Sequence, residues 1–390
     1  MRKLVFKFLW CVVLSVLVSS CQSTMAVKTT PAPTEIQFQS AINAIYEQHP
    51  DAIGIMVHVE APRNNISWSG ATGFSDKSRK TPIDAKAIAW IASNTKTYVA
   101  VATLRLVEDG QFNVQTTIDK LLSSKTITIL RNDGYEPETI TVEHLLSHTS
   151  GIFDYAADLS YFEFTKQNPK HRWTRDAQIK LAMEKGDPLG AAGDVFTYAD
   201  TNYLLLSEIL ERSTGKPFYY AIRYLIGLRG KSLDETWFLS LEVIPPSARA
   251  PVHQYATSMG LDTQSVDPSF DLFGGGGLVS TTRDLAVFMQ YLFNGKIFHK
   301  PETLLLLQTK ANPKQGMKFD YRFGLSTIEV HGLQGIGHGG FWATAVNYFP
   351  ELDASIAVFI LERDQRVLRQ DVNQAVVRIL QDEEQQSREK

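Results

Sequence analysis

Cysteine is almost missing from this chain. The 390 residues hold two, Cys11 and Cys21, and none follows. From Gln22 onward this excludes both a disulfide framework and a cysteine nucleophile. A strong charge of either sign is missing too. The net charge is -3 and the pI about 6.3, so bulk electrostatics gives no pull toward nucleic acid. Internal repeats and low-complexity segments are absent. What is present is 44% hydrophobic, 11% aromatic and 21% charged residues. That composition suits a folded chain with a sizeable core, in one large domain or two, and argues against disorder beyond the ends.

The chain starts Met1-Arg2-Lys3, followed by an apolar run from Leu4 to Val18 interrupted by Lys7 and Ser15. A basic start, a short apolar run and small residues read as an export signal rather than a spanning helix. Its ending, Val18-Ser19-Ser20-Cys21, resembles a bacterial lipobox. The resemblance implies a signal segment over 1–21, cleavage before Cys21, and lipidation of that cysteine. Gln22 in the next position implies an outer-membrane lipoprotein facing the periplasm. The alternative is an ordinary signal cut near Ala26. Residues 22–35, with Pro31 and Pro33, read as a flexible tether.

Beyond the tether, residues 36–49 carry Phe38, Ile42 and Ile45 at helical spacing. Two β-rich runs from Ile53 and from Ile66, joined across Pro62–Asn65, read as a hairpin. From Thr97 to about Met259 the pattern is mostly helical. Strand patterns return over 321–330, 335–349 and 354–361, and a last helix is expected from about Gln365 to Asp382. This order predicts an α+β fold. An antiparallel sheet is flanked by N- and C-terminal helices, and a mostly helical part is inserted between the sheet halves. The expected domain covers 36–385, with its α/β part at about 36–108 and 275–385 and its helical part at about 109–274.

Three clusters carry the chemistry. In the first, Ser93 precedes a helical run and Lys96 stands one turn on. A serine hydroxyl needs a base within reach, and a lysine whose pKa is lowered can accept or tune a proton. A capping serine explains Ser93 equally well. The second is Phe196-Thr-Tyr198-Ala-Asp200, just before a helix. A tyrosine beside a lysine loses its proton more easily and can serve as the base. The alternative leaves Asp200 or Thr201 as a plain N-cap and Tyr198 in the core. The third is Gly337-His338-Gly339-Gly340-Phe341 in the C-terminal β region. Glycines there let a substrate backbone approach, as on an edge strand, and His338 is suited to hold a carboxylate or shuttle a proton. Backbone N–H groups of Ser93 and Phe341 are candidates for an oxyanion hole. A Gly-rich turn with an incidental histidine is the alternative.

The order Ser-x-x-Lys, Tyr-x-Asp, His-x-Gly resembles the serine β-lactamase and penicillin-recognising family, of the class C and D-Ala-D-Ala carboxypeptidase branch. Leu145–Gly151, Tyr198–Leu206 and Gly276–Asp284 look like it too. The resemblance implies Ser93 as the acylated nucleophile, Lys96 as its proton partner and Tyr198 as general base. It implies Asp200, His338, Gly339 and Gly340 as substrate contacts, no cofactor and no metal. Asp200 stands where the family has asparagine, and His338 where its β-lactamases have lysine. The implied partners are a small-molecule or peptide substrate and, through the lipid, a membrane. The implied activity is acyl-enzyme hydrolysis of a D-amino-acid peptide, amide or ester. A carboxylesterase on the same site and a catalytically dead envelope binding protein are the rivals.

Three further motifs point elsewhere. Ser213-Thr-Gly215-Lys216 reads as a helix end. His144 and His148, four apart, read as structural rather than metal ligands. Gly274–Gly277 reads as a turn beside the pocket.

Overall fold

The computed structural model describes residues 34–244, 248–315 and 320–389. The expected signal segment 1–21, Cys21 and most of the tether lie outside the described residues.

Period-two alternation builds the sheet. In β1 (Gly54–Ala61), Ile55, Val57 and Val59 face one core and Met56 the other. In β7 (Ala354–Ile360), Ile356, Val358 and Ile360 join the first core, and Ala357 and Phe359 the second. Between them in the chain come β2 (Ile66–Gly73), β3 (Tyr321–Arg322), β4 (Leu325–Val330), β5 (Leu333–Gly339) and β6 (Thr344–Phe349). The seven strands lie in the order β2-β1-β7-β6-β5-β4-β3, every pairing antiparallel. The hairpin expected across Pro62–Asn65 is β1–β2.

One face of the sheet is covered by α1 (Thr34–Gln48) and α6 (Leu368–Arg388), the first and last helices of the described chain. Phe38 and Ile42 meet Val372, Val376 and Leu380 there. The first helix starts two residues ahead of the sequence expectation. The last starts three residues late, because Arg363–Gln365 closes a 3-10 turn capped by Glu362. The other face packs on α5 (Thr282–Phe293) and, beyond it, the helical part. No helix among the described residues is long and apolar enough to cross a membrane.

Between sheet and helical part runs α2 (Thr95–Glu108), buried from Thr95 through Leu106. A helix buried all round lies between two packed layers, and Tyr98 stacks on Phe288 of α5 at 3.8 Å between ring centroids. The inserted part includes α3 (Val142–Leu146) and α4 (Asp200–Thr214), the latter ending at Gly215 in the left-handed conformation. Thus the Ser213–Lys216 copy is a helix terminus, as its glycine and proline suggest. A small sheet of Ala89–Trp90, Leu278–Ser280 and Trp237–Phe238 ties the chain where it enters and leaves the inserted part.

The long run expected over 335–349 is two strands, because Gly340–Ala343 turns back. The third cluster is also not on a free edge. β5 pairs with β6 through Gly339, and with β4 as far as Gly337. Only His338 and Gly339 run past the last pairing with β4.

Candidate active site

Ser93 lies in a 3-10 turn, Ala92–Asn94, that leads into α2. Ala92 enters it at a φ of 45°, a left-handed conformation that an alanine adopts at a cost of about 1 kcal/mol. The turn is pinned from the sheet side. Asn94 Nδ2 donates to Ile91 O at 2.7 Å and to Thr344 Oγ1 at 3.0 Å, and Thr344 Oγ1 donates to Ile91 O at 3.1 Å. Gly340 fills the remaining space: a Cβ there would stand 2.4 Å from Ile91 O and 2.3 Å from Thr344 Oγ1. The serine turn and the Gly340–Phe341 turn are therefore neighbours.

Lys96, one helical turn after Ser93, is fully buried. Its Nζ is 3.0 Å from Ser93 Oγ, 2.7 Å from Gly275 O and 2.5 Å from Asp200 Oδ1. A hydroxyl, a carbonyl and a carboxylate oxygen around one nitrogen suit an ammonium. Burial pulls its pKa down, but Asp200, Tyr198 and Asp271 together outweigh that and the net shift is upward. This corrects the sequence expectation of a lysine pKa lowered by desolvation. Gly274–Gly277 is the turn beside the site, and Gly275 supplies one ligand of the ammonium.

Tyr198 converges on the same point. Its ring centroid is 4.9 Å from Lys96 Nζ, and its hydroxyl hydrogen-bonds with the side chains of Ser93 and Lys96. Burial pushes the phenol up to about 12; Lys96 pulls it down, but Asp200 adds to the rise. The expected easing of proton loss by the lysine is therefore more than offset. Asp200 is the first residue of α4 rather than a cap before it, and its own N–H donates to Asp154 Oδ1 at 3.0 Å.

Sequence reasoning missed two acids. Burial and then the Asp200 carboxylate push Asp154 up to about 7 and Asp271 up to about 8, against the pull of Lys96. Asp154 stands three residues after Gly151 and Asp271 three before Gly274, in loops with no periodic signal. His148, read from the sequence as structural rather than metal-binding, lies against the site. His148 packs at a tilt against Tyr198, 4.3 Å between centroids, and accepts a hydrogen bond from Ala199 N–H at Nδ1, 3.1 Å away. His144 does read as structural: its Nδ1 accepts from Thr141 N–H in the capping box of α3. No cluster of metal-ligating residues occurs among the described residues.

His338 is buried, and burial, with Lys96 and Arg369 nearby, pushes its pKa down to about 3. It is therefore neutral at physiological pH, which works against the expected carboxylate contact. Its Nε2 lies 3.2 Å from Tyr321 Oη, a residue no motif had singled out.

The β-lactamase family model matches residues 42–379. The chain belongs to that family. Its curated relatives include penicillin-binding protein 4* of Bacillus subtilis, 23% identical over 72% of this chain and 62% of the relative. Esterase EstB of Burkholderia gladioli is 27% identical over 50% of each. The chain thus spans only about half to three-fifths of the length of these relatives. Among solved structures, D-amino acid amidase from Ochrobactrum anthropi SV3 aligns with a TM-score of 0.76 at 19% identity, covering 90% of this chain and 99% of that one. A D-stereospecific amidohydrolase from Streptomyces aligns at 0.72 and 22% identity, covering 87% and 98%. These likenesses establish the β-lactamase/transpeptidase fold.

Proposed function

We propose that this β-lactamase-family protein is a hydrolase working through a covalent acyl-enzyme on Ser93. The observation that carries the reading is the meeting of three side chains: Ser93 Oγ 3.0 Å from Lys96 Nζ, with the Tyr198 hydroxyl against both. A hydroxyl, an ammonium and a phenol from distant parts of the chain form a nucleophile, a fixed cation and a base.

Magnitudes decide which group is the base. Asp200 holds Lys96 charged, so its nitrogen has no lone pair to offer. With a pKa of about 12, ionising Tyr198 at pH 7 costs about 7 kcal/mol. A turnover of ~10 per second corresponds to a barrier of about 16 kcal/mol, so that cost fits within it. Tyr198 as phenolate then takes the proton of Ser93 as Oγ bonds to the carbonyl carbon. Lys96 stabilises the phenolate, and the N–H groups of Ser93 and Phe341 receive the oxyanion. Tyr198 returns the proton to the leaving group, and water releases the acyl chain.

The substrate class in this reading is a D-amino-acid peptide or a small amide or ester, with Gly339 and Gly340 beside it. Three relatives support that range by their names: an amidase, an amidohydrolase and an esterase. The neutral state of His338 favours the carboxylesterase as second reading. Lipidation at Cys21 and an outer-membrane position facing the periplasm complete the proposal, resting on the lipobox-like ending alone.

The test uses intact-protein mass after exposure to a labelled penicillin and to a short-chain nitrophenyl ester. An adduct or turnover present in wild type and lost in Ser93→Ala supports the acyl-enzyme. Neither adduct nor turnover in wild type favours the dead binding protein. Ester turnover without penicillin labelling favours the esterase.

A further inference from the structure

We propose that Tyr321 holds His338 as an uncharged imidazole, and that the site therefore selects acyl donors whose leaving group carries no carboxylate. This rests on the acyl-enzyme reading above and adds to it a substrate class and a specificity-determining residue.

The argument starts from two backbone groups whose roles are fixed. An amide N–H only donates and a carbonyl only accepts. Ala199 N–H donates to His148 Nδ1 at 3.1 Å, so that nitrogen is bare and the ring proton sits on Nε2. Asn202 Nδ2, at 3.3 Å from the same Nδ1, agrees, because Asn202 Oδ1 already accepts from Ser150 Oγ at 2.6 Å. At the other end His338 Nδ1 lies 2.7 Å from Gly339 O, so it carries a proton and donates. Tyr321 Oη stands between, 3.1 Å from His148 Nε2 and 3.2 Å from His338 Nε2. One order satisfies every atom of a neutral pair: His148 Nε2–H donates to Tyr321, and Tyr321 O–H donates to His338 Nε2. All three side chains are buried.

The Tyr203 hydroxyl also meets Tyr321, while donating to Leu146 O at 3.1 Å. It offers Tyr321 a second acceptor, which is used only if His338 gains a second proton. The groups around His338 oppose that proton. Lys96 faces it from α2 and Arg369 from α6, both cationic, and Tyr198 and Tyr321 bring no negative charge in their phenol forms.

Neutral His338 adds no positive charge of its own to the centre. Lys96 is matched by Asp200. Arg369 donates to Thr344 O at 2.8 Å and lies 3.5 Å from Gly340 O, and the Arg363 guanidinium covers the Phe341 ring at 4.4 Å. Arg366 and Arg369 line a cleft of about 710 Å³ beyond β5, together with His338, Asp364 and Glu329. A carboxylate placed at His338 thus meets a neutral ring.

Two measurements test this. Nitrogen NMR of the wild-type protein with labelled histidine reads the proton positions at pH 7. The expected result is His338 protonated at Nδ1 and bare at Nε2, with His148 the reverse; an imidazolium at position 338 overturns the proposal. The second compares kcat/KM for 4-nitrophenyl acetate and its 3-carboxy derivative. Wild type is expected to prefer the uncharged ester by about tenfold or more, and His338→Lys to shrink that ratio by a similar factor. Tyr321→Phe is expected to let the ratio fall at a higher pH than in wild type, because Nε2 of His338 loses its donor while burial, Lys96 and Arg369 still oppose the proton. A wild-type preference for the carboxylated ester, or a ratio that His338→Lys leaves unchanged, overturns the proposal. If Ser93→Ala keeps the turnover, the acyl-enzyme reading fails instead, while the NMR result still judges the state of His338.

Discussion

Replacing Asp271 by asparagine should stabilise the protein, and more so at high pH. Gly276 lies against this carboxylate, its absent Cβ 2.1 Å from Oδ2, and Oδ1 is enclosed with no hydrogen-bond partner among the described residues. Burial and Asp200 lift the group from 3.8 to about 8. A carboxyl with a raised folded-state pKa contributes stability that is fully present below about pH 4 and is lost as pH rises through about 8. Over that window folding takes up a proton, and stability falls by at most about 1.4 kcal/mol per pH unit. About four units give a ceiling of about 5–6 kcal/mol. Asp154 feels the same Asp200 and titrates at about 7, so half the ceiling, about 3 kcal/mol, is the fair share of Asp271. Asparagine keeps the shape and cannot ionise. An unfolding entropy of ~2.1 cal/mol/K per residue over roughly 350 residues turns 3 kcal/mol into about 4 °C. Thermal melts of wild type and Asp271→Asn at pH 5 and pH 9 provide the assay. About three of those four units lie above pH 5, so the variant should gain about 3 °C more over wild type at pH 9 than at pH 5. An equal gap at both pH values, or a less stable variant at pH 9, would refute the reasoning and make Asp271 an ionised partner of Lys96.

Other expectations follow from the same geometry. Tyr198→Phe should cut kcat by about 10²–10⁴-fold, the range for a lost general base, with KM little changed. Asp200→Asn removes the charge that helps raise the Tyr198 phenol, so the limb of kcat/KM that rises with alkali should move to lower pH; a limb that stays or moves up contradicts the assignment of base. Lys96→Met leaves the half-buried Asp200 without its cation and should cost at most about 3 kcal/mol in denaturant unfolding, on top of lost activity. Gly340→Ala forces a methyl against Ile91 O and Thr344 Oγ1. Acylation of Ser93 should fall more steeply than the melting temperature, because the displaced segment is the serine turn.

Much of this architecture was legible in the sequence because its signals are local. Alternating apolar residues in 54–61 and 354–360 announce strands buried on both faces, and Gly215 after a leucine stripe announces a helix end. Ser93, Lys96 and Tyr198 were legible because each sits at an element boundary with a recognisable neighbour. The electrostatics were not. Whether Lys96 is charged depends on where Asp200 points, and whether Tyr198 is acidic depends on burial, neither of which spacing encodes. Tyr321 was invisible for a similar reason: a tyrosine in a two-residue strand looks like any core aromatic. His148 gave one signal, its place in the Leu145–Gly151 stretch, but the helical spacing to His144 drew attention to metals instead. Its backbone is left-handed, with φ 57°, which turns the ring toward Ala199 and away from His144's capping position.

The short overhang of β5 past β4 sets a limit on reach. Only His338 and Gly339 extend beyond the last paired residue, Gly337. Two residues of strand are about 6.6 Å long, which is the grip of a single peptide unit. A ligand laid along this overhang can share main-chain bonds over that one unit. Recognition of anything longer must therefore come from side chains on the surrounding loops, so divergence in those loops can change preference while the three reacting groups stay fixed.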